Sequence, residues 1–303
     1  MAEAHRHGRV QGHYRRRRLS LPRPSNARAC QPVGVFDSGV GGLSILRALR
    51  AELPHEDFVY FADSGHAPYG ERDEAHVIAR SRAITGYLIA EYGIKALVIA
   101  CNTATAAAVR LLRAEHPELP IIGVEPALKP AVALSRTHRI GVMATGGTLR
   151  SAKFAALLES LSGQAEFVLQ PCAGLAAAIE HQENSKVIAL CDQYTMGMGA
   201  FGMQDGQIDT LVLGCTHYPF AGDLLRTRVG PDVHLIDTGE PVARHTHQLL
   251  LTRHIPLQQA ANLPGQSGNV TGHLTLVSSG QPEALQAAVR RWLGVDLAVR
   301  TAA

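Results

Sequence analysis

Along this chain, short apolar runs end on small polar residues, and a helical pattern of apolar positions usually follows. VGVF (33–36) stops at Asp37 and Ser38, then passes through a glycine turn into a segment with Leu43, Leu46 and Leu49 on one helix face. FVYFA (58–62) stops at Asp63 and Ser64; Pro68, Tyr69 and Gly70 form a turn, and helical patterning runs from about Glu74 to Tyr92. ALVIA (96–100) ends on Cys101, Asn102 and Thr103 ahead of alanine-rich helix formers. Apolar segments at 121–124 and 140–143 bracket Glu125, Pro126 and a short helix, and the second opens through ATGGT into a helix extending to Glu159. TLVLG (210–214) ends on Cys215, Thr216 and His217, repeating the plan of the Cys101 unit. Further on, Leu235 and Ile236 end on Asp237, Thr238 and Gly239, while Leu274–Val277 and Pro282–Leu293 read as a last strand and helix.

Strands alternating with helices of this length predict an α/β chain with mainly parallel sheets. A weak internal repeat refines this. Gly34, Ser38, Gly39 and Ser44 match Gly141, Thr145, Gly146 and Ser151 at a constant offset of 107, and the cysteine units are offset by 114. Two similar α/β domains with the site in the cleft between them are the economical reading. Residues 33–126 with 239–303 would build the first domain, around Cys101, and 127–238 the second, around Cys215. Ligands of parallel sheets bind beyond the carboxyl ends of the strands, where Asp37, Asp63, Cys101, Thr145 and Cys215 all fall. Residues 1–32 are rich in Arg, His and Pro without apolar periodicity and are predicted to be a disordered basic extension. Residues 258–272 read as a loop.

Composition excludes several classes. With 46% hydrophobic residues over 303 positions the chain can bury a sizeable core. A net charge of +3, concentrated in the arginine run near the start, predicts no nucleic-acid binding. Five widely spaced cysteines form neither a disulfide framework nor a zinc-ligand pattern, so reduced thiols and a cytoplasmic location are expected, with no metal. No apolar run is long enough to span a membrane, and no secretory leader is evident. Cys30, Cys172 and Cys191 lack the strand-to-turn context and read as incidental or structural.

A cysteine delivered to a helix N-terminus is expected to ionise readily, because backbone N–H groups and the helix dipole favour the thiolate. DSGVGG could be taken for a dinucleotide turn, but Asp37 stands where a phosphate charge would arrive, which favours a ligand carrying an ammonium group. Asp37 or Ser38 could also simply cap the helix. Two thiols facing one cleft suit removal of a proton from one face of a carbon and return of one to the other. A disulfide, or a nucleophile with a resolving cysteine, would be the competing uses. Lys95, Lys129, Lys153 and Lys186 come with no phosphate cradle, so a pyridoxal Schiff base is not expected.

The set FDSGVGGLS, ADS with PYG, ACNTA, GVEP, ATGGT and DTLVLGCTHYP resembles glutamate racemase from about Val33 to Gly294. The chain departs from that pattern in residues 1–32, at Gly65 and His66, and at Phe154. The resemblance implies a cofactor-independent racemase supplying D-glutamate for peptidoglycan, and a homodimer. It makes Cys101 the base toward D-glutamate, assisted by Asp37, and Cys215 the base toward L-glutamate, assisted by His217. Asp37, Ser38, Tyr69, Gly70, Asn102, Thr103, Thr145, Thr148, Thr216 and His217 then match substrate-binding positions. Asp63 and Glu180 match acidic residues near the site, where loop ordering and an exposed helix carboxylate are the plainer alternatives. Racemases of aspartate or hydantoins share the two-thiol logic, and a two-lobed solute-binding protein would share the cleft.

Overall fold

The computed structural model describes residues 31–258 and 271–302. The basic extension, Cys30 and most of the 258–272 loop lie outside the described residues.

The first sheet is built from β1 (Val33–Asp37), β2 (Phe58–Ala62), β3 (Ala96–Ile99), β4 (Ile121–Gly123), β9 (Leu274–Ser278) and β10 (Val299–Thr301), in the order β10-β9-β2-β1-β3-β4. Every pairing is parallel. The central strands are buried along their whole length, which explains their continuous rather than alternating apolar pattern. One face is covered by α1 (Leu43–Glu52), α10 (Gly239–Thr252) and α11 (Pro282–Leu293), through Leu43, Leu46, Leu49, Val242, Leu250, Leu285 and Val289. The other face receives α2 (Glu74–Tyr92) and α3 (Asn102–Glu115), through Ile84, Leu88, Ala108 and Leu112.

The second sheet, also all parallel, has the order β6-β5-β7-β8, from β5 (Arg139–Ala144), β6 (Glu166–Pro171), β7 (Thr210–Leu213) and β8 (His234–Ile236). On one side lie α7 (Leu175–Glu180), α8 (Asn184–Met198) and α9 (Gly222–Val229). On the other lie α4 (Leu128–Leu134), α5 (Gly146–Arg150) and α6 (Ala152–Glu159). The chain is therefore a two-domain α/β protein whose strands point their carboxyl ends into a shared cleft.

Two expectations need correcting. The segment after ATGGT is not one helix. Ser151 is extended between α5 and α6, and its Oγ accepts the Phe154 N–H at 3.1 Å as an N-cap. Nor is β9 the last strand: Val299–Thr301 adds a short parallel edge to it.

Candidate active site

β3 delivers Cys101 to the N-cap of α3, where Sγ accepts the Ala104 N–H at 3.5 Å and lies 3.8 Å from Ser38 Oγ. β7 delivers Cys215 to a tight turn in which its Sγ faces His217 Nδ1 at 3.8 Å. Both thiols are free, buried, and exposed to the same cavity of about 260 Å³.

The expected ease of ionisation at Cys101 does not survive burial. Removal from water pushes its pKa well above the ordinary value and the neighbouring Asp37 carboxylate adds to this, outweighing the N–H at the helix start. Asp37 is itself fully buried. Its Oδ2 accepts the Gly42 N–H at 2.6 Å, while Oδ1 has no hydrogen-bond partner among the described residues. Burial raises its pKa to about 6 despite the opposing influence of His217. Asp37 thus fixes the start of α1 and also stands behind Cys101.

His217 lies on the opposite side. Burial would lower its pKa, but hydrogen bonds to Cys215 and Glu180 raise it well above the usual imidazole range. Glu180 is no exposed helix carboxylate. Oε2 takes His217 Nε2 at 2.7 Å and the Val40 N–H at 2.8 Å, and Oε1 takes the Ser64 hydroxyl at 3.0 Å. Although burial opposes it, the His217 contact keeps this carboxyl below its ordinary pKa. Because Val40 and Ser64 belong to the first sheet's loops, Glu180 ties the two domains together across the cleft. The Ser44 hydroxyl, donating to the Thr216 carbonyl at 2.8 Å, is a second tie.

The glycine turn now has a physical reason. A Cβ at Gly41 would fall on the His217 imidazole, and one at Gly39 on the Glu180 carboxylate. The turn admits groups from the other domain rather than a phosphate.

Ser38, Tyr69, Gly70, Asn102, Thr103, Thr145 and Thr216 line the same cavity. Both polar side-chain atoms of Asn102 are buried without a protein partner among the described residues, and Thr103 and Thr145 hydroxyls meet at 3.3 Å across the cleft. Thr148 sits behind Thr145, their hydroxyls 3.0 Å apart, and lines a separate small hollow instead. Asp63 does not reach the cavity. It is gripped by Arg80 at 2.8 and 2.9 Å and accepts the Tyr69 hydroxyl at 2.5 Å, so it orders the loop that carries Tyr69. Burial opposes ionisation there, but Arg80 and Tyr69 hold the carboxyl below its ordinary pKa. Ser64, Arg150, Cys172 and His181 also line the cavity and were not anticipated. Cys172 follows β6, whose mixed burial gave no apolar run to mark it as a strand end. Arg150 lies five residues beyond Thr145, and its basic charge next to a polar turn was the available signal.

The profile of the Asp/Glu/Hydantoin racemase family matches residues 43–246. A glutamate racemase of Stutzerimonas stutzeri is 51% identical over 225 residues, covering 74% of this chain and 83% of that protein. The crystal structure of glutamate racemase isoform RacE1 from Bacillus anthracis superposes with a TM-score of 0.76 at 29% identity, covering 90% of this chain and 97% of that one. That of the Francisella tularensis enzyme in complex with D-glutamate gives 0.73 at 26% identity, over 91% and 98%. With 51% of 225 aligned residues identical to such a relative and both sheets in the matching fold, the chain belongs to the Asp/Glu/Hydantoin racemase family as an enzyme of the glutamate racemase kind.

Proposed function

We propose that this enzyme interconverts L- and D-glutamate by a two-base mechanism in which Cys101 removes the α-proton from D-glutamate and Cys215 removes it from L-glutamate, each acting as acid in the other direction. The observation that carries this is the pair of free, buried thiols lining one small cavity from opposite domains. A cavity of about 260 Å³ suits a small amino acid, being below the range of about 300–1,000 Å³ usual for drug-sized ligands.

An α-proton beside a carboxylate is barely acidic, and the carbanion places more charge next to an existing one. Ser38, Tyr69, Gly70, Asn102, Thr103, Thr145, Thr148 and Thr216 supply or support the hydroxyl, amide and backbone N–H donors that stabilise the developing charge in a water-poor site. Asn102, whose buried amide has no protein partner among the described residues, offers both a donor and an acceptor to a zwitterion. Asp37 takes the thiol proton of Cys101, leaving the negative charge on the thiolate, so that the pair keeps one negative charge near the substrate ammonium. His217, held cationic by Glu180, supports the Cys215 side. No step needs a cofactor.

The same reading makes the product D-glutamate available for peptidoglycan, in the cytoplasm, with the protein working as a homodimer. The domain boundaries proposed for this role are residues 33–126 with 239–303, and 127–238. Free thiols at Cys101, Cys172, Cys191 and Cys215 accord with a reducing compartment.

The deciding experiment follows optical rotation with D- or L-glutamate and no added cofactor, then repeats it in D2O, where the α-hydrogen should exchange. Cys101→Ser and Cys215→Ser should each abolish racemisation. With 3-chloroalanine, which needs only the base step, Cys215→Ser should still eliminate from the D-isomer and Cys101→Ser from the L-isomer. Product that keeps its protium, or serine variants that eliminate equally from both isomers, would contradict the assignment.

A further inference from the structure

β2 reads Phe-Val-Tyr-Phe-Ala, and all five positions are buried. Phenylalanine would serve at its centre as it does at Phe58, since Tyr60 belongs to the same apolar cluster, with Val35, Leu43 and Val98. A phenol in such a place costs free energy unless its hydroxyl is paired. The Tyr60 hydroxyl donates to the Gly39 carbonyl at 2.6 Å, and an added Cβ at Gly42 would come within 2.9 Å of the same oxygen. One hydroxyl thus lies beneath both ends of the 39–42 turn. Burial, with the Asp37 and Glu180 carboxylates nearby, raises its pKa well above the ordinary phenol value, so it stays a donor at every working pH.

That turn serves both sides of the cleft. The Gly42 N–H donates to Asp37 Oδ2 at 2.6 Å, behind Cys101, and the Val40 N–H donates to Glu180 Oε2 at 2.8 Å, the oxygen that also holds His217 Nε2. Two N–H groups, two residues apart, therefore address carboxylates from the two domains. The Gly39 carbonyl and the Val40 N–H belong to one rigid peptide plane, so the group that Tyr60 holds and the group that Glu180 takes move together. With glycine at 39, 41 and 42, the turn would be free to rotate without such an anchor.

Resting on the racemase reading above, we propose that Tyr60 is a positioning residue for both acid/base sides: its hydroxyl pins the Gly39–Val40 peptide plane, and so keeps the Val40 N–H on Glu180 and the Gly42 N–H on Asp37. Tyr60 does not line the cavity, so its influence passes through the turn. Its loss should slow proton abstraction from both isomers, whereas loss of His217 or Asp37 burdens one direction.

The test compares the full-length wild type with Tyr60→Phe, which deletes only the hydroxyl, and with Thr85→Val, which removes a buried hydroxyl that donates to the Ser81 carbonyl within α2. All three are assayed well below their melting temperatures. Tyr60→Phe should lower kcat about tenfold in both directions of glutamate racemisation, with KM within about twofold, the scale of one buried hydrogen bond. The α-deuterium isotope effect should grow from both isomers, and elimination from 3-chloroalanine should slow by a similar factor from both. The Gly42 N–H lowers the pKa of Asp37, so drawing it away should move the acid limb of kcat/KM for D-glutamate to higher pH. Thr85→Val should lose stability alone. A Tyr60→Phe enzyme that behaves like Thr85→Val, with a lower melting temperature but wild-type kcat and pH profile, would overturn the assignment, as would a loss confined to one isomer or to KM. A wild type that turns over neither glutamate isomer would overturn the racemase reading itself, a result distinct from any of these.

Discussion

Glu180 Oε2 lies 2.7 Å from His217 Nε2, and the far nitrogen of the same ring faces Cys215 Sγ at 3.8 Å. The carboxylate thereby sets both the charge and the direction of the imidazole that faces Cys215. Glu180→Gln keeps a hydrogen-bonding partner for the ring but removes the charge that favours the imidazolium. L-to-D proton abstraction should slow about tenfold, the effect of about one pK unit on the ring. His217→Asn should show the same bias more strongly. The overall equilibrium constant cannot change, so KM must shift with kcat, and the informative measurement is the α-deuterium isotope effect in each direction. It should grow for L-glutamate and stay near the wild-type value for D-glutamate; equal growth from both isomers would contradict a one-sided role.

Asp37 links the chemistry to stability. Its carboxyl titrates at about 6 in the fold against 3.8 ordinarily, with burial as the main cause. The folded protein holds this proton more tightly than the unfolded chain does. Its contribution is therefore fully favourable below about pH 4 and is lost as pH rises through about 6, amounting to ~3 kcal/mol. Asp37→Asn removes that dependence. Its melting temperature relative to wild type should rise between about pH 4 and about pH 6 and level off above. Activity at neutral pH should fall, chiefly in abstraction from D-glutamate. A melting-temperature difference that stays constant across that window would argue against a buried, reluctant carboxylate.

Local patterns in the chain carried much of this architecture. The runs at 33–36, 96–100 and 210–214 are buried through their length, so a parallel strand ending on a polar residue leaves a clear mark in sequence. Both thiols were legible for that reason. Charge environments were not, because they depend on what the other domain brings. The helix start at Cys101 argued for an acidic thiol, yet burial and Asp37 reverse the direction. Asp63 stood at a strand end like Asp37, but Arg80, seventeen residues on, turns it away from the cavity toward Tyr69. Glu180 gained its partners Val40 and Ser64 from segments more than a hundred residues distant. The edge strands β6 and β10 lack a continuous buried run, which is why neither announced itself.

The close fit of His217 against the glycine turn leads to a last expectation, in which one position is set against another in the same domain. At Gly41 an added Cβ would coincide with the imidazole Nδ1 region and press on the Thr216 hydroxyl at 2.7 Å, so Gly41→Ala must displace the ring or hold the domains apart. Backbone φ at Gly41 is not in the left-handed region, so strain of that kind is not involved and the clash alone is tested. Gly86 offers the contrast. It is exposed within α2, has nothing within 4 Å of an added Cβ, and interrupts a 19-residue helix. Gly86→Ala should raise stability by up to about 1 kcal/mol through helix propensity, with turnover unchanged. Gly41→Ala should lower kcat by about a hundredfold or more, because it displaces the imidazole that the proposed mechanism sets beside Cys215. The loss should fall more heavily on abstraction from L-glutamate, the side His217 serves, as isotope effects in the two directions would reveal. Should Gly41→Ala turn over normally while Gly86→Ala gains its expected stability, the approach of His217 to the turn would not be a feature of the working enzyme.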